Sequence, residues 1–329
     1  MVDDTAIARL VSGTGTCFYR IPEGPFHTIF LFGAGASYGC GDVYPHRPPL
    51  GNQLYEHLRV AFPDSWGALP SDLGDYFAIN FEKGMDVLWK EHIDRSALLL
   101  QQMGIYFSRF APATKHGTMF RKIVSRLIGR RANDVLLSTL NYDRLLDGEL
   151  TRAGLSVNYM FPPGGVVPLI KLHGSCNWFI DMPGVNRYVN LSPTIRIEAP
   201  IRSVNSEKEV TRYLTGDTPF HPVICLYNQE KSAPLCRSFF EHLQKDWGER
   251  ILTAQQVALV GVRPYPDDAH VWGPLAATHA RVLCIGDRLA FEKWHEESGR
   301  VGETVVVDEF FEQGFGTLWE SLRLQPANN

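Results

Sequence analysis

Short runs of β-branched and apolar residues, closed by glycine, asparagine, histidine or aspartate, recur along the chain. They are HTIFLFG (27–33), DVLLSTL (134–140), PLIKLHG (168–174), QVALVGV (256–262), RVLCIGD (281–287) and TVVVD (304–308). Continuous apolar runs of this length suit strands covered on both faces, as in a parallel sheet between helical layers. With helical patterning between them, the runs predict an α/β fold: a doubly wound, mostly parallel, Rossmann-like sheet with helices on both faces. Leu50, Leu54 and Leu58 repeat at four-residue spacing and predict a helix over 50–62. From 71 to 130 no run reads as a strand. There Met85, Leu88, Trp89 and Ile93 form one apolar stripe, and Leu99, Met103, Phe107 and Phe110 form another at helical spacing. A helical insertion over 64–130 is expected, its aromatics serving as core. The stretch 178–222 is polar and carries several prolines, so a second, irregular insertion with short edge strands is expected there, followed by a helix near 234–250. In RKIVSRLIGRR (121–131), Lys122, Arg126 and Arg130 share one helical face, read as a solvated one.

Composition narrows the class without naming a function. With 329 residues, 44% hydrophobic and 21% charged, the chain is an ordinary globular protein long enough for a full core. A formal charge of −4 gives no general attraction to nucleic acid or to an anionic membrane. The opening MVDDTAIARLVSG has acids where a secretory signal has bases, and the apolar runs are too short to span a bilayer, so a cytoplasmic protein with no membrane contact is expected. The 6 cysteines are scattered, with no Cys-x-x-Cys pair. His173 and Cys176, three apart, are two ligands without a second pair, so no metal is expected and the thiols read as reduced and partly buried.

The chemistry begins at TIFLFGAGASYG (28–39), a strand running into a glycine turn. A dehydrogenase fingerprint needs a third glycine in the slot that Tyr38 fills, and an acid about twenty residues later. Neither is present. No Gly-Lys-Ser/Thr closes the turn, which excludes a P-loop. What remains is a backbone cradle, Gly33 to Ser37, whose N–H groups suit a pyrophosphate. The loop CGDVYPHRPPLG (40–51) beside it is long enough to fold over a ligand. Two further runs end in polar residues: STLNYDRLLD puts Asn141 and Asp143 after one strand, and IKLHGSCNW puts His173 after another. Open α/β sheets bind ligands at the carboxyl ends of their strands, so these segments are expected to converge on one crevice.

In this order, GAGAS, TLNYD and KLHGS resemble the glycine, Thr-Gln-Asn-Ile-Asp and His-Gly motifs of the sirtuin family. PPLGNQL (48–54) and LVGVRPYPDDAHVWGPL (259–275) are similar to the prokaryotic sirtuin-like branch found in antiphage defence systems. The likeness runs from about residue 27 to 290, and it implies one sirtuin-like NAD-binding domain over 1–329 carrying the two insertions. It also implies that NAD is bound and its nicotinamide–ribose bond broken. On this resemblance Gly33, Ala34, Gly35 and Ser37 hold the phosphates, with Ala36 and Thr139 completing the cofactor-binding set. Asn141 lies by the nicotinamide ribose and orients a water, Asp143 lies near the carboxamide or braces the loop, and His173 acts as base. Gly261 closes the ribose–phosphate side, and Asp287 contacts the adenosine.

These residue types suit the reaction. Heterolysis neutralises the pyridinium and leaves positive charge on the ribose, as in glycoside cleavage. Positioning, oxygen acceptors around the cation and exclusion of stray water are what the protein has to supply. An amide can orient water as donor and acceptor, and a neutral imidazole can take its proton. The chain departs from sirtuin deacylases in two ways. It lacks the spacing of their four-cysteine zinc module, and Leu140 replaces the glutamine of the second motif. Water is therefore the expected acceptor, making the chain an NAD+ hydrolase with NAD as substrate and no metal. A protein deacylase or ADP-ribosyltransferase, and a non-catalytic NAD- or ADP-ribose-binding regulatory subunit, remain as alternatives. The resemblance further implies control by homo-oligomerisation or by a partner such as a HerA-type ring ATPase, an Argonaute-like protein or a phage component. Few residues follow TVVVD, and a built-in sensing domain is not expected there.

Overall fold

A computed structural model describes residues 26–113, 117–130 (without the side chains of 129 and 130), 134–159, 167–182, 197–216, 218, 220–226, 233–265, 268–322 and 324. Readings of the first residues, of Cys17, of the Arg130 side chain and of 183–196 lie outside them. The central sheet has 7 strands: β1 (Thr28–Phe32), β2 (Val135–Thr139), β3 (Val157–Asn158), β4 (Val167–Lys171), β5 (Gln256–Val260), β6 (Arg281–Ile285) and β7 (Thr304–Asp308). Their spatial order is β7-β6-β5-β1-β2-β4-β3, and every neighbouring pair is parallel. The chain winds outward from β1 through β2 to β4, then returns to the other side of β1 and winds out through β5, β6 and β7. The winding reverses between β1 and β5, where doubly wound folds open a crevice.

Every residue of β1, β2 and β5 is buried, as continuous apolar runs demand. Helices supply the cover: α1 (Ala34–Tyr38), α2 (Gly51–Ala61), α3 (Ser71–Ile79), α4 (Phe81–Glu91), α5 (Ile93–Ser108), α6 (Met119–Arg130), α7 (Leu145–Arg152), α8 (Glu207–Thr215), α9 (Arg237–Thr253), α10 (Ala269–Ala277), α11 (Arg288–Glu297) and α12 (Phe311–Ser321). The expected helix over 50–62 is α2, which buries Leu54, Tyr55 and Leu58. The aromatics around α3 and α4 are core: the Phe77 ring lies 5.3 Å from both Tyr55 and Trp66, and Trp66 stacks 6.0 Å from Phe81. Asn80 separates α3 from α4 and caps the latter, its side chain accepting from Lys83 N at 3.0 Å.

Three local expectations change. Within 178–222, Trp178–Ile180 pairs antiparallel with Ile201–Ser203 as a short-strand reading allows, but the helix α8 is also present. It is short and buries only Val210 and Leu214, too few positions for apolar periodicity to register, although Ser206 and Glu209 have capping-box spacing. The helix expected over 234–250 starts at Arg237, because its N-cap Cys236 is in the left-handed region (φ 55°), and it runs on to Thr253. The basic face of α6 is only partly a solvated one: Arg126 lies over the rings of Phe315 and Trp319, 4.9 and 5.4 Å from their centroids. None of the 5 described cysteines is in a disulfide, and all are buried. No described helix is long and apolar enough to cross a membrane.

Candidate functional site

The register of the sheet brings the chemistry-bearing segments to one line. Phe32 is level with Thr139 and with Val260, Thr139 with Lys171, and Val260 with Ile285. The residues just beyond that line are Gly33, Asn141, His173, Gly261 and Asp287, each within two positions of its strand end. Leu172 N donates to the Thr139 carbonyl at 3.0 Å, extending the ladder past β4 and keeping the chains that carry Asn141 and His173 adjacent.

At the reversal point the β1 and β5 loops interlock through glycines. Gly261 has φ +62°, and a Cβ there would lie 2.0 Å from Ala36 N. A Cβ on Gly33 would meet the Gly261 carbonyl oxygen at 2.6 Å, and one on Gly35 would meet Gly261 Cα at 2.9 Å. Only glycine lets two backbones approach this closely. The contact is hydrogen-bonded: Gly33 N donates to Val260 O at 3.0 Å, Gly35 N to Gly261 O at 2.9 Å, and Ala36 N to Gly33 O at 2.9 Å. Three amides of the expected phosphate cradle are thus engaged inside the protein, and Ala34, exposed at the first position of α1, is the remaining member of residues 33–36.

Asn141 is tied to this joint. Its Nδ2 donates to Gly33 O and to Ser37 Oγ, both at 2.8 Å, and its N–H donates to Thr139 Oγ1 at 3.0 Å. A carbonyl oxygen can only accept, so Nδ2 faces Gly33 and Oδ1 is the end left for other partners. Ser37 Oγ passes the chain on by donating to Asp143 Oδ2 at 2.8 Å, and Asp143 Oδ1 accepts from Leu145 N at 3.0 Å. Asp143 is buried with both carboxylate oxygens engaged, which makes it a brace for the loop. Burial pushes its pKa up, opposed chiefly by the charge of Lys171.

Beneath the brace lies a buried ion pair. Lys171 and Asp147 have side chains 0% and 3% exposed, with Nζ 3.2 Å from Oδ2. Nζ also donates to the Asp143 carbonyl at 2.6 Å, and the Tyr159 hydroxyl donates to Asp147 Oδ1. Burial and the Asp147 charge push the Tyr159 pKa up, so its hydroxyl stays a donor. These three residues were not singled out in the sequence. Lys171 carries the signal that would have found them: a cation inside an apolar strand run has to be paired.

His173 is 4% exposed. Its turn is clamped from the other side: Cys225 N donates to the His173 carbonyl at 2.9 Å, Ser175 N to the Val223 carbonyl at 3.2 Å, and Gly174 has φ +81°. The imidazole does not stand alone. His173 Nε2 lies 3.0 Å from Nε2 of His270, and the ring centroids are 5.1 Å apart. His270 is in the first turn of α10, and the N-cap residue of that helix, Asp268, completes a group whose ligand atoms all lie within 4.8 Å of one another. Asp268 and His270 belong to the quoted stretch LVGVRPYPDDAHVWGPL but were given no role in it.

The structure therefore brings Gly33, Gly35, Ser37, Asn141, Asp143 and Gly261 into one bonded assembly, with His173 at the end of the adjacent strand. Thr139 Oγ1 belongs to the same assembly, donating to Phe32 O at 3.1 Å. Asp287 is apart: exposed beyond β6, it caps α11 by accepting from Ala290 N at 3.1 Å.

No family model matches the chain, and no curated protein does. Among solved structures, one described as the structural basis for the mechanism and regulation of Sir2 enzymes overlaps with a TM-score of 0.42 at 11% identity, covering 90% of this chain and 91% of that one. A histidine-to-asparagine variant of a Sir2 homologue bound to ADP-ribose overlaps with a TM-score of 0.36 at 14% identity, covering 90% and 94%. A phenylalanine-to-alanine variant of a Sir2 homologue, also bound to ADP-ribose, overlaps with a TM-score of 0.32 at 14% identity and the same coverage. Likeness at these scores carries no weight for the chemistry of this chain.

Proposed function

We propose that the chain is an NAD+ glycohydrolase: NAD+ and water give ADP-ribose, nicotinamide and a proton. The observation that carries this reading is the orientation of Asn141. Both donor bonds of its amide are spent on Gly33 O and Ser37 Oγ, so the acceptor Oδ1 is kept for a ligand, one strand away from His173. A fixed oxygen acceptor is what a ribosyl cation and an incoming water require, because it stabilises positive charge and holds a water proton without reorganising. His173 then accepts the proton that the water loses on attacking the anomeric carbon, while the electron pair of the broken bond leaves on the nicotinamide nitrogen. The glycine joint takes the phosphates with the exposed Ala34 amide foremost, and Gly261 lets the β5 loop approach them.

His173→Ala is expected to slow nicotinamide release by about 10²–10⁴-fold, the usual value of a general base. Asn141→Ala is expected to cost about a hundredfold or more. Both are measured as nicotinamide formed from NAD+ by variants whose circular dichroism matches wild type; unchanged turnover in both rejects the assignment. On the motif resemblance, the activity serves cell-wide NAD depletion in antiphage defence and is held in check by self-assembly or by a partner protein. The assay is accordingly run on the protein alone and with the products of its genomic neighbours.

One contact favours a second reading. With Nε2 of His173 against His270, the base is occupied, which suits a regulatory subunit that binds NAD or ADP-ribose without cutting it. That reading predicts saturable NAD binding and no nicotinamide under any trigger.

A further inference from the structure

We propose that His173, Asp268 and His270 form a site for a divalent transition cation of the zinc class, and that the bound cation and the proton-accepting form of His173 exclude each other. The donor set is two imidazole nitrogens and one carboxylate oxygen, all within 4.8 Å of one another. Imidazole with carboxylate is a ligand set for zinc and its neighbours rather than for magnesium or calcium. Three protein ligands also leave a fourth position open, as in zinc sites that exchange ligands.

The spacing of the two imidazoles is close to that of a loaded site. Zinc–nitrogen bonds of about 2.0–2.1 Å at a tetrahedral angle put two ligating nitrogens about 3.3 Å apart. The two Nε2 atoms are 3.0 Å apart, so a rotation of roughly 0.3 Å at the ring tips makes room for the ion. As neutral rings, the pair makes a hydrogen bond only when one carries its proton on Nε2 and the other on Nδ1. With both protons on Nδ1, the two Nε2 lone pairs converge on one point, which is the arrangement a cation uses.

Asp268 supplies the third vector. It is the N-cap residue of α10, and its place at the start of that helix sets its carboxylate beside His270, two positions on. The carboxylate is buried beside the two imidazoles, where it offsets the charge of an ion. The backbone on both sides is fixed before any ion arrives. Cys225 N holds the His173 carbonyl at 2.9 Å, while the Asp268 carbonyl accepts from Val271 N at 2.8 Å and Trp272 N at 3.0 Å.

The first consequence, cation binding, is independent of the NAD reading; the second rests on it, since an ion on Nε2 removes the lone pair that accepts the water proton. The test titrates Co2+ into the tag-free full chain without NAD and follows visible d–d absorption. One saturable equivalent is expected, displaced by Zn2+. His270→Ala and Asp268→Asn should each weaken it by more than the roughly 10–100-fold that loss of an outer-shell partner costs, at unchanged circular dichroism. If either variant fails to fold, His270→Gln, which keeps a polar side chain of similar reach, takes its place. No cobalt signal in wild type, or a wild-type signal in the variants, overturns the site. Nicotinamide release is then measured with Zn2+ and again after EDTA. Reversible inhibition supports the exclusion, and release unaffected by Zn2+ at a filled site overturns it. Because cobalt is read without NAD, a protein that binds the ion but never cuts NAD refutes the hydrolase reading and leaves the site standing.

Discussion

Lys171 is the residue on which the brace under the site depends, and replacing it with methionine gives a sharp test. Its ammonium lies 3.2 Å from Asp147 and 2.6 Å from the Asp143 carbonyl, with the side chain fully buried. At an effective dielectric of about 20, two unit charges at that separation attract by roughly 5 kcal/mol. Much of that only offsets the cost of taking both ions out of water, so the pair itself adds little net stability. The loss of one member is a different matter. Methionine fills similar volume, so cavity formation is small, but Asp147 remains buried with its counter-charge gone. The expected destabilisation is about 3–5 kcal/mol, several times the roughly 1 kcal/mol of an average substitution.

Guanidinium unfolding followed by circular dichroism reads the loss as a lower midpoint at an unchanged slope. Asp147→Asn isolates the cause, because the amide oxygen still accepts from Tyr159 while the charge disappears. Each single variant strands one member of the Lys171–Asp147 pair. The double variant removes both charges of that pair and leaves only Asp143 without the Lys171 charge, a loss it shares with the Lys171→Met single variant. The double-mutant cycle should therefore show an interaction energy above about 1.5 kcal/mol, the double variant being more stable than the sum of the singles predicts. Additive losses, or a Lys171→Met variant within about 1 kcal/mol of wild type, would refute the view that charge compensation holds the β4 end in place.

Gly261→Ala is expected to be among the most damaging small substitutions, because the new methyl meets Ala36 N at 2.0 Å and φ is +62°; Gly154→Ala, also at positive φ (+77°) but with open space around it, should cost only about 1 kcal/mol, and a thermal melt of the two variants compares steric overlap with backbone strain. His221 is fully buried with its Nδ1 2.6 Å from the Pro222 carbonyl, and desolvation lowers its pKa to about 4. The folded protein thus binds this proton less readily than the unfolded chain, so stability is intact above about pH 6.5 and falls as pH drops toward 4, by about 3 kcal/mol in all. His221→Gln should flatten that part of the stability-against-pH curve, and an unaltered slope would mean that another group titrates there.

Six of the 7 sheet strands were legible as apolar runs, most directly β1, β2 and β5, where burial on both faces leaves a run such as TIFLFG few other structures. β3, two residues long and half-buried at the sheet edge, has no such run. Glycine, Asn141 and His173 stood out because they end such runs, where backbone stops pairing and side chains become available. Helix α8 was hidden because its surface is mostly polar, and only Val210 and Leu214 anchor it. The brace was hidden for a different reason. Ser37 and Asp143 are 106 positions apart in the chain, and a hydroxyl whose partner is that distant has no local periodicity to betray it. Lys171 alone broke the pattern of its own strand.

The same distinction explains what happened to the glycine turn and to His173. A glycine motif after a strand has two physical uses, to expose amides to a ligand or to let another backbone come close, and sequence cannot separate them because both ask only for a missing Cβ. Here close approach dominates: Gly33 and Gly35 direct their amides at β5's end, and the polar chain from Asn141 through Ser37 to Asp143 locks that contact. Asn141 is thereby oriented by the joint and keeps its acceptor for whatever enters. His173 was visible as a strand-end residue, but its state is decided by His270, which arrives 97 positions later from a helix on the far side of β1. The fold thus sets two conditions at one edge of the sheet: the Asn141 amide is oriented by the glycine joint, and the His173 imidazole is engaged by a second imidazole. The proton transfer proposed for His173 therefore requires those two rings to separate.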